Sequence, residues 1–231
     1  MLDFFNKLYE DFYYTLIYDD RYLYILEGLR NTLIIAIGAL ALGIVLGLLI
    51  ALVRDAHDKN GKLKILNFIS KLYVNIIRGT PALLQLMIIY YVIFRTVNIE
   101  PVLVGILAFG INSGAYVSEI IRAGIQSVDN GQLEAGLSLG FNYSQTMRYI
   151  VLPQAIKNVM PAMGNEFITL IKETSVAGYI GIRELTKASD IIASRTYNYF
   201  FPLIVTALIY LLITTLLTKL LGIFERKMNN A

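Results

Sequence analysis

Cysteine is absent from this 231-residue chain, and histidine occurs once, at position 57. Without cysteine there is no disulfide framework and no thiolate metal site. His57 stands alone in a charged loop and reads as a solvated residue, not a metal ligand. The phosphate-binding pattern G-x-x-x-x-G-K-[ST] is missing, so the chain is not expected to hydrolyse ATP by itself. The zinc-protease pattern H-E-x-x-H is missing too. An intramembrane serine protease would need a histidine inside an apolar segment, and there is none. No basic–aromatic interleaving points to nucleic acid. These absences leave no catalytic residue, metal or cofactor to assign to this chain.

Charge is also scarce. Charged residues make up 16% of the sequence against 56% hydrophobic, and the mean hydropathy is +0.60. That is a membrane composition. Met1 to Gly28 does not read as a signal peptide. It carries Asp3, Glu10, Asp11, Asp19, Asp20 and Glu27 against only Lys7 and Arg21, where a signal peptide needs a basic start. Phe4, Phe5, Leu8, Tyr9 and Phe12 recur there at helical spacing, so residues 1–28 are expected to lie in the membrane interface outside the cell.

Five apolar segments follow. The first runs from about Leu29 to Val53 and is free of charge from Thr32 to Val53. At 1.5 Å per residue that stretch covers roughly the 30 Å hydrocarbon core. Gly43 and Gly47 mark a face for close approach, either within one subunit or between two. The second segment, about Ile65 to Val97, contains Arg78-Gly79-Thr80-Pro81, and one helix kinked at Pro81 is expected. Arg78 either snorkels to the interface or gates the path together with Pro81. The third runs from about Pro101 to Ile121, with Asn112, Tyr116 and Glu119 at helical spacing; Glu119 is placed to pair with Arg122. The fourth runs from about Leu152 to Ile180, with Pro161 and Gly164 expected to interrupt it. The fifth runs from Phe201 to Ile223. The most basic loop, Arg54 to Lys71, and the tail at residues 226–231 belong in the cytoplasm, which puts the N-terminus outside. The expectation is an all-α integral membrane protein with a five-span unit at 29–225.

Between the third and fourth spans, residues 129–153 look helical but not membranous. Asp129 with Gln132, and Asn142 with Gln145, are capping-box pairs, and Gly140 can close the first helix in the left-handed conformation. Two short helices joined at a glycine form a knuckle able to enter a groove on a partner.

The knuckle carries Glu134-Ala135-Gly136, then Gly140, then Ile150-Val151-Leu152-Pro153. This spacing resembles the coupling loop of ABC importer permeases, whose pattern is E-A-A, three residues, G, nine residues, I-x-L-P; here Gly136 replaces the second alanine. The RGTP stretch with Gln85, the stretch Gly114 to Arg122, Asn165-Glu166-Phe167-Ile168 and Lys172-Glu173-Thr174-Ser175 look like the polar and basic amino acid branch. The resemblance covers roughly residues 24 to 225. It implies a type I importer fold in a bacterial cell membrane and a second permease copy, identical or not. It also implies two ATPase subunits that use ATP and dock on Glu134, Ala135, Gly136 and Gly140, and an extracytoplasmic amino-acid-binding protein.

Glu166 lies roughly 13 Å along a helix from Lys157 and roughly 9 Å from Lys172, so it is deep if both lysines reach interfaces. A charge there costs ~2.5–3.5 kcal/mol and asks for a partner. The expected cavity combines Glu166, Asn165 and Thr169 with Asn112, Ser113 and Tyr116, and with Thr80 and Gln85. Its ligand would be a polar amino acid, arginine, lysine or histidine before glutamine. The competing readings are a structural hydrogen-bond hub at Glu166, a proton-coupled carrier and a membrane scaffold. The carrier reading lacks an inverted repeat and has no use for the knuckle, and the polar cavity residues speak against a scaffold.

Overall fold

The computed structural model describes residues 2–229, and no strand occurs among them. Its centre is a pair of parallel helices, α2 (Tyr22–Asn60) and α5 (Pro101–Gln126). Small residues on each receive large ones from the other. A Cβ added at Gly43 would lie 2.8 Å from Ser113 Oγ, and one at Gly47 2.5 Å from Val117 Cγ1. In return, Gly110 and Gly114 leave room for Leu42 and Leu46, at 2.6 and 2.9 Å from an added Cβ. The contacts advance together along both helices, which is why the two run parallel. Small residues one turn apart are the means by which helices pack closely in lipid. The glycine face of α2 is therefore filled within the chain.

Around this pair stand α3 (Lys64–Gly79), α4 (Ala82–Ile88), α8 (Leu152–Glu173) and α10 (Phe200–Asn229). Ile35, Leu86, Val104, Phe109, Leu170 and Ile171 form the shared apolar core. Many leucines on the outer faces of α2 and α10, such as Leu49, Leu52, Leu211 and Leu212, are exposed. An apolar belt of this kind suits hydrocarbon, not water. The N-terminal helix α1 (Leu2–Phe12) likewise leaves Phe4, Phe5 and Tyr9 exposed.

The second apolar segment differs from the expected kinked helix. α3 and α4 meet at 110°, and α4 continues through one wide turn to Ile93. Three helices, α2, α5 and α10, are long and apolar enough to cross a membrane, and the bent pair makes a fourth candidate. α8 is not among them, because Lys157, Asn158, Asn165, Glu166 and Lys172 dilute its hydropathy. Nor do Pro161 and Gly164 interrupt α8; both lie inside the helix. Gly164 instead gives close passage to Leu221 of α10. The helix ends at Glu173, and a tighter 3-10 stretch, Thr174–Ile180, carries the chain on. Then α9 (Leu185–Thr196) packs against α2 and α10 at the end far from the knuckle.

The knuckle forms as its capping residues dictate. α6 (Asn130–Ser138) starts at Asp129, whose carboxylate accepts from Gly131 N. Gln132 does not return the bond; its carbonyl accepts from Gln154 instead. Gly140 has φ +86°, Gly140 N donates to Leu137 O and Phe141 N to Gly136 O, which is a Schellman closure. α7 (Tyr143–Thr146) opens with the full reciprocal box of Asn142 and Gln145.

Candidate functional site

The break between α3 and α4 is built by its own side chains. In a continuous helix the amide of residue 81 would donate to the carbonyl of Ile77, but proline has no N–H. Gln85, one turn into α4, supplies the missing donor: its Nε2 lies 2.7 Å from Ile77 O. The same nitrogen reaches Thr80 O at 3.1 Å and Thr80 Oγ1 at 2.8 Å. Thr80 Oγ1 in turn donates to Ile76 O at 2.8 Å. Three carbonyls at the break, those of Ile76, Ile77 and Thr80, thus accept from side chains.

The elbow is joined to α5. Asn112 Nδ2 donates to Gln85 Oε1 at 2.9 Å, and both side chains are buried. The Tyr73 hydroxyl of α3 donates to the carbonyl of Ile111, just before Asn112. Ser113, the next residue, is fully buried, and its Oγ donates to Glu166 Oε1 of α8 at 2.7 Å. Glu166 is half-buried and forms no ion pair among the described residues. Thr169 is half-buried one turn along α8, whereas Asn165 is exposed; neighbouring helix positions point about 100° apart.

Towards the knuckle the same helices border a cavity of about 820 Å³, lined by Arg78, Tyr116, Glu119, Lys157, Asn158 and Pro161 among others. The Arg78 guanidinium sits over the Tyr116 ring, 5.3 Å from its centroid, a cation–π arrangement. Arg78 and Pro81 are exposed. Glu119 is held from two sides: Arg122 donates to one oxygen at 2.9 Å, and Arg54 of α2 pairs with the other. The Glu119–Arg122 pair follows from their spacing. Arg54 was legible only as one basic residue of a loop. A usable signal existed: Arg54 lies eleven residues beyond Gly43, three turns along the helix, and so on the face that packs against α5.

The docking candidates divide. Glu134, Ala135 and Gly140 are exposed, as are Leu137 and Leu139, the latter at 77%. Gly136 faces inward: a Cβ there would meet Thr146 Oγ1 at 2.9 Å and Ile150 Cδ1 at 3.0 Å. Its role in the structure is to let α6 close onto the end of α7 and the turn that follows. The exposed tip is therefore an apolar knob flanked by one carboxylate.

The family described as the binding-protein-dependent transport system inner membrane component matches residues 43–230. The chain belongs to this family. It is a multi-pass permease subunit of an ABC importer, the non-catalytic membrane component of such a system. Among relatives, the putative glutamine transport system permease protein of Rickettsia prowazekii is 40% identical over 93% of this chain and 97% of its own length. The arginine transport system permease protein of Bacillus subtilis is 39% identical over 90% of this chain and 93% of its own. The crystal structure of an amino acid ABC transporter with histidines shares 45% identity with a TM-score of 0.82, covering 88% of this chain and 94% of that one. The all-helical type I permease fold is thereby established.

Proposed function

We propose that this permease carries polar amino acids, basic ones in particular, into the cell, and that Glu166 meets the positive end of the substrate. The observation that carries the reading is the state of Glu166. Its carboxylate has a serine hydroxyl as partner and no ion pair among the described residues, one turn along α8 beyond Ala162, which lines the cavity. A guanidinium fits such a carboxylate in a two-pronged geometry, and an ammonium fits it as a point charge. Thr169, Tyr116 and Asn165 are the candidates to line the rest, with Asn112, Gln85 and Thr80 standing behind Ser113. A relative named for arginine transport and a structure with histidines support the basic substrate. Relatives named for glutamine transport support a second reading, in which Glu166 receives the α-ammonium that every amino acid carries.

Transport on this reading is alternating access. Five spans, with the N-terminus outside and the knuckle in the cytoplasm, form a pair with a second permease copy. Two ATPase subunits take the knob around Leu137, Leu139 and Gly140, and an extracytoplasmic binding protein delivers the substrate. Nucleotide-driven closure of the ATPases displaces the knuckles and with them α5 and α8. The substrate shifts the balance only through its different affinity for the two states.

The test is uptake of labelled arginine into proteoliposomes holding the whole complex. Competition by lysine and histidine but not glutamine supports the side-chain contact. Equal competition by glutamine moves Glu166 to the α-ammonium, and uptake that follows a proton gradient without ATP overturns the importer reading. Replacing Gly140 by valine tests the docking. The left-handed backbone disfavours any side chain by about 1–2 kcal/mol, so less ATPase should co-purify, at unchanged yield of the permease.

A further inference from the structure

Gln85 read from sequence is a candidate ligand; in the structure both its N–H donors are taken by the elbow and its oxygen already accepts from Asn112. Its oxygen takes Asn112, its nitrogen takes Ile77 O, Thr80 O and Thr80 Oγ1, and it is 8% exposed. Leu86 beside it is completely buried in the core, so the backbone that presents Gln85 is fixed. We infer that Gln85 is a positioning residue: it locks the α3–α4 elbow and, through Asn112, sets the face of α5 from which Ser113 reaches Glu166. The inference rests on the reading of Glu166 as the substrate's contact, and extends it to a residue that touches no substrate.

The physical argument is one of satisfied bonds. The carboxamide is the one side chain type that supplies donors to the orphan carbonyls of the elbow and an acceptor to Asn112 at once. Asn112 and Ser113 are consecutive on α5. A rotation that frees Asn112 also turns Ser113 away from Glu166. Removing Gln85 leaves buried donors and acceptors without partners, which such helices relieve by shifting. Movement of the elbow and the quality of the Ser113–Glu166 bond are therefore tied together, with Asn112 as the link.

The experiment uses the reconstituted complex and reads the half-saturation concentration for arginine uptake. Gln85→Ala should raise it about tenfold, the size of one lost buried hydrogen bond, and leave the order of preference among arginine, lysine and glutamine as it was. In a Ser113→Ala background the same change should have no further effect, because its route runs through Ser113. Additive losses in the double variant, or a changed order of substrates, would overturn the inference, the second by making Gln85 a ligand after all. Should Gln85→Ala fail to fold, Asn112→Ala keeps every bond within the elbow and cuts only the link. It should raise half-saturation with Ser113 present and have no further effect in the Ser113→Ala background, and an unchanged half-saturation in Asn112→Ala alone counts against the inference. Glu166→Gln run in parallel separates the two levels. If it leaves half-saturation unchanged, the substrate reading fails; if it raises it while the Gln85 and Asn112 variants do not, only the positioning role fails.

Discussion

At the knuckle end of the bundle Glu119 sits between two arginines; two turns back along α5, Ser113 offers Glu166 a single hydroxyl. Glu119 pairs with α2 and with its own helix, Glu166 with α5, and both are partly shielded. The first is saturated. Arg54 and Glu119 retain 12% and 20% side-chain exposure, and together with Arg122 they tie α2 to α5 near the knuckle. A charge met by two opposite charges holds helices together and has no affinity left for a ligand. The second has hydrogen-bonding and charge capacity left over, in a place where leaving it unfilled is costly. Saturation, more than the presence of an acidic residue in an apolar stretch, separates a structural carboxylate from a binding one.

The sharpest way to break this comparison is Glu166→Gln. The amide keeps a bond to Ser113 and removes the charge. Arginine uptake should fall about a hundredfold at low substrate, the scale of losing one desolvated charge pair, while glutamine uptake changes much less. Equal uptake of arginine before and after the change would make Glu166 as structural as Glu119.

A smaller effect of the opposite kind is expected from Arg54→Ala. Glu119 keeps Arg122, so the loss is one charged hydrogen bond, about 2 kcal/mol. It should appear as a lower melting temperature of the purified complex, with the half-saturation for uptake unmoved. A shift in half-saturation without loss of stability would place the Arg54–Glu119 pair in the transport path instead.

The same contrast explains what was readable from sequence. The second half of the knuckle was legible down to single bonds, because Asn142, Gln145 and Gly140 act through neighbours in the chain, whereas the box expected of Asp129 and Gln132 formed only on the Asp129 side. Three of the spans, α2, α5 and α10, were legible because lipid demands long apolar runs; α8 was not, because its polar side chains dilute that signal. The elbow was not: Pro81 announced a break, but its 110° angle depends on Gln85 reaching back eight residues to Ile77. The partners of Asn112 and Ser113 lie 27 and 53 residues away, and only packing brings them together. Gly136 shows the limit from the other side. Its place in the loop pattern suggested a docking surface, whereas its missing side chain makes room for Thr146.

Glu184, at the end of the molecule far from the knuckle, extends the comparison to a third carboxylate, one saturated with neutral donors. It is 1% exposed and caps α9, accepting from Lys187 N at 2.6 Å and Thr186 N at 2.7 Å. Burial pushes its pKa up from an ordinary 4.5 to about 7, against the pull of those backbone amides. The folded protein therefore holds a proton that the unfolded chain has released between these two values. Linkage then makes stability greatest below about 4.5 and diminishing as pH rises through about 7, with a slope of at most ~1.4 kcal/mol per pH unit for one proton. Glu184→Gln removes the titration and keeps an acceptor for the cap. Its melting temperature should lose that part of the pH dependence between 4.5 and 7, with transport selectivity unchanged. If the variant and the parent keep parallel profiles, neutral donors hold this carboxylate charged as firmly as the arginines hold Glu119, and backbone amides must then be counted as a second way of saturating a buried acid.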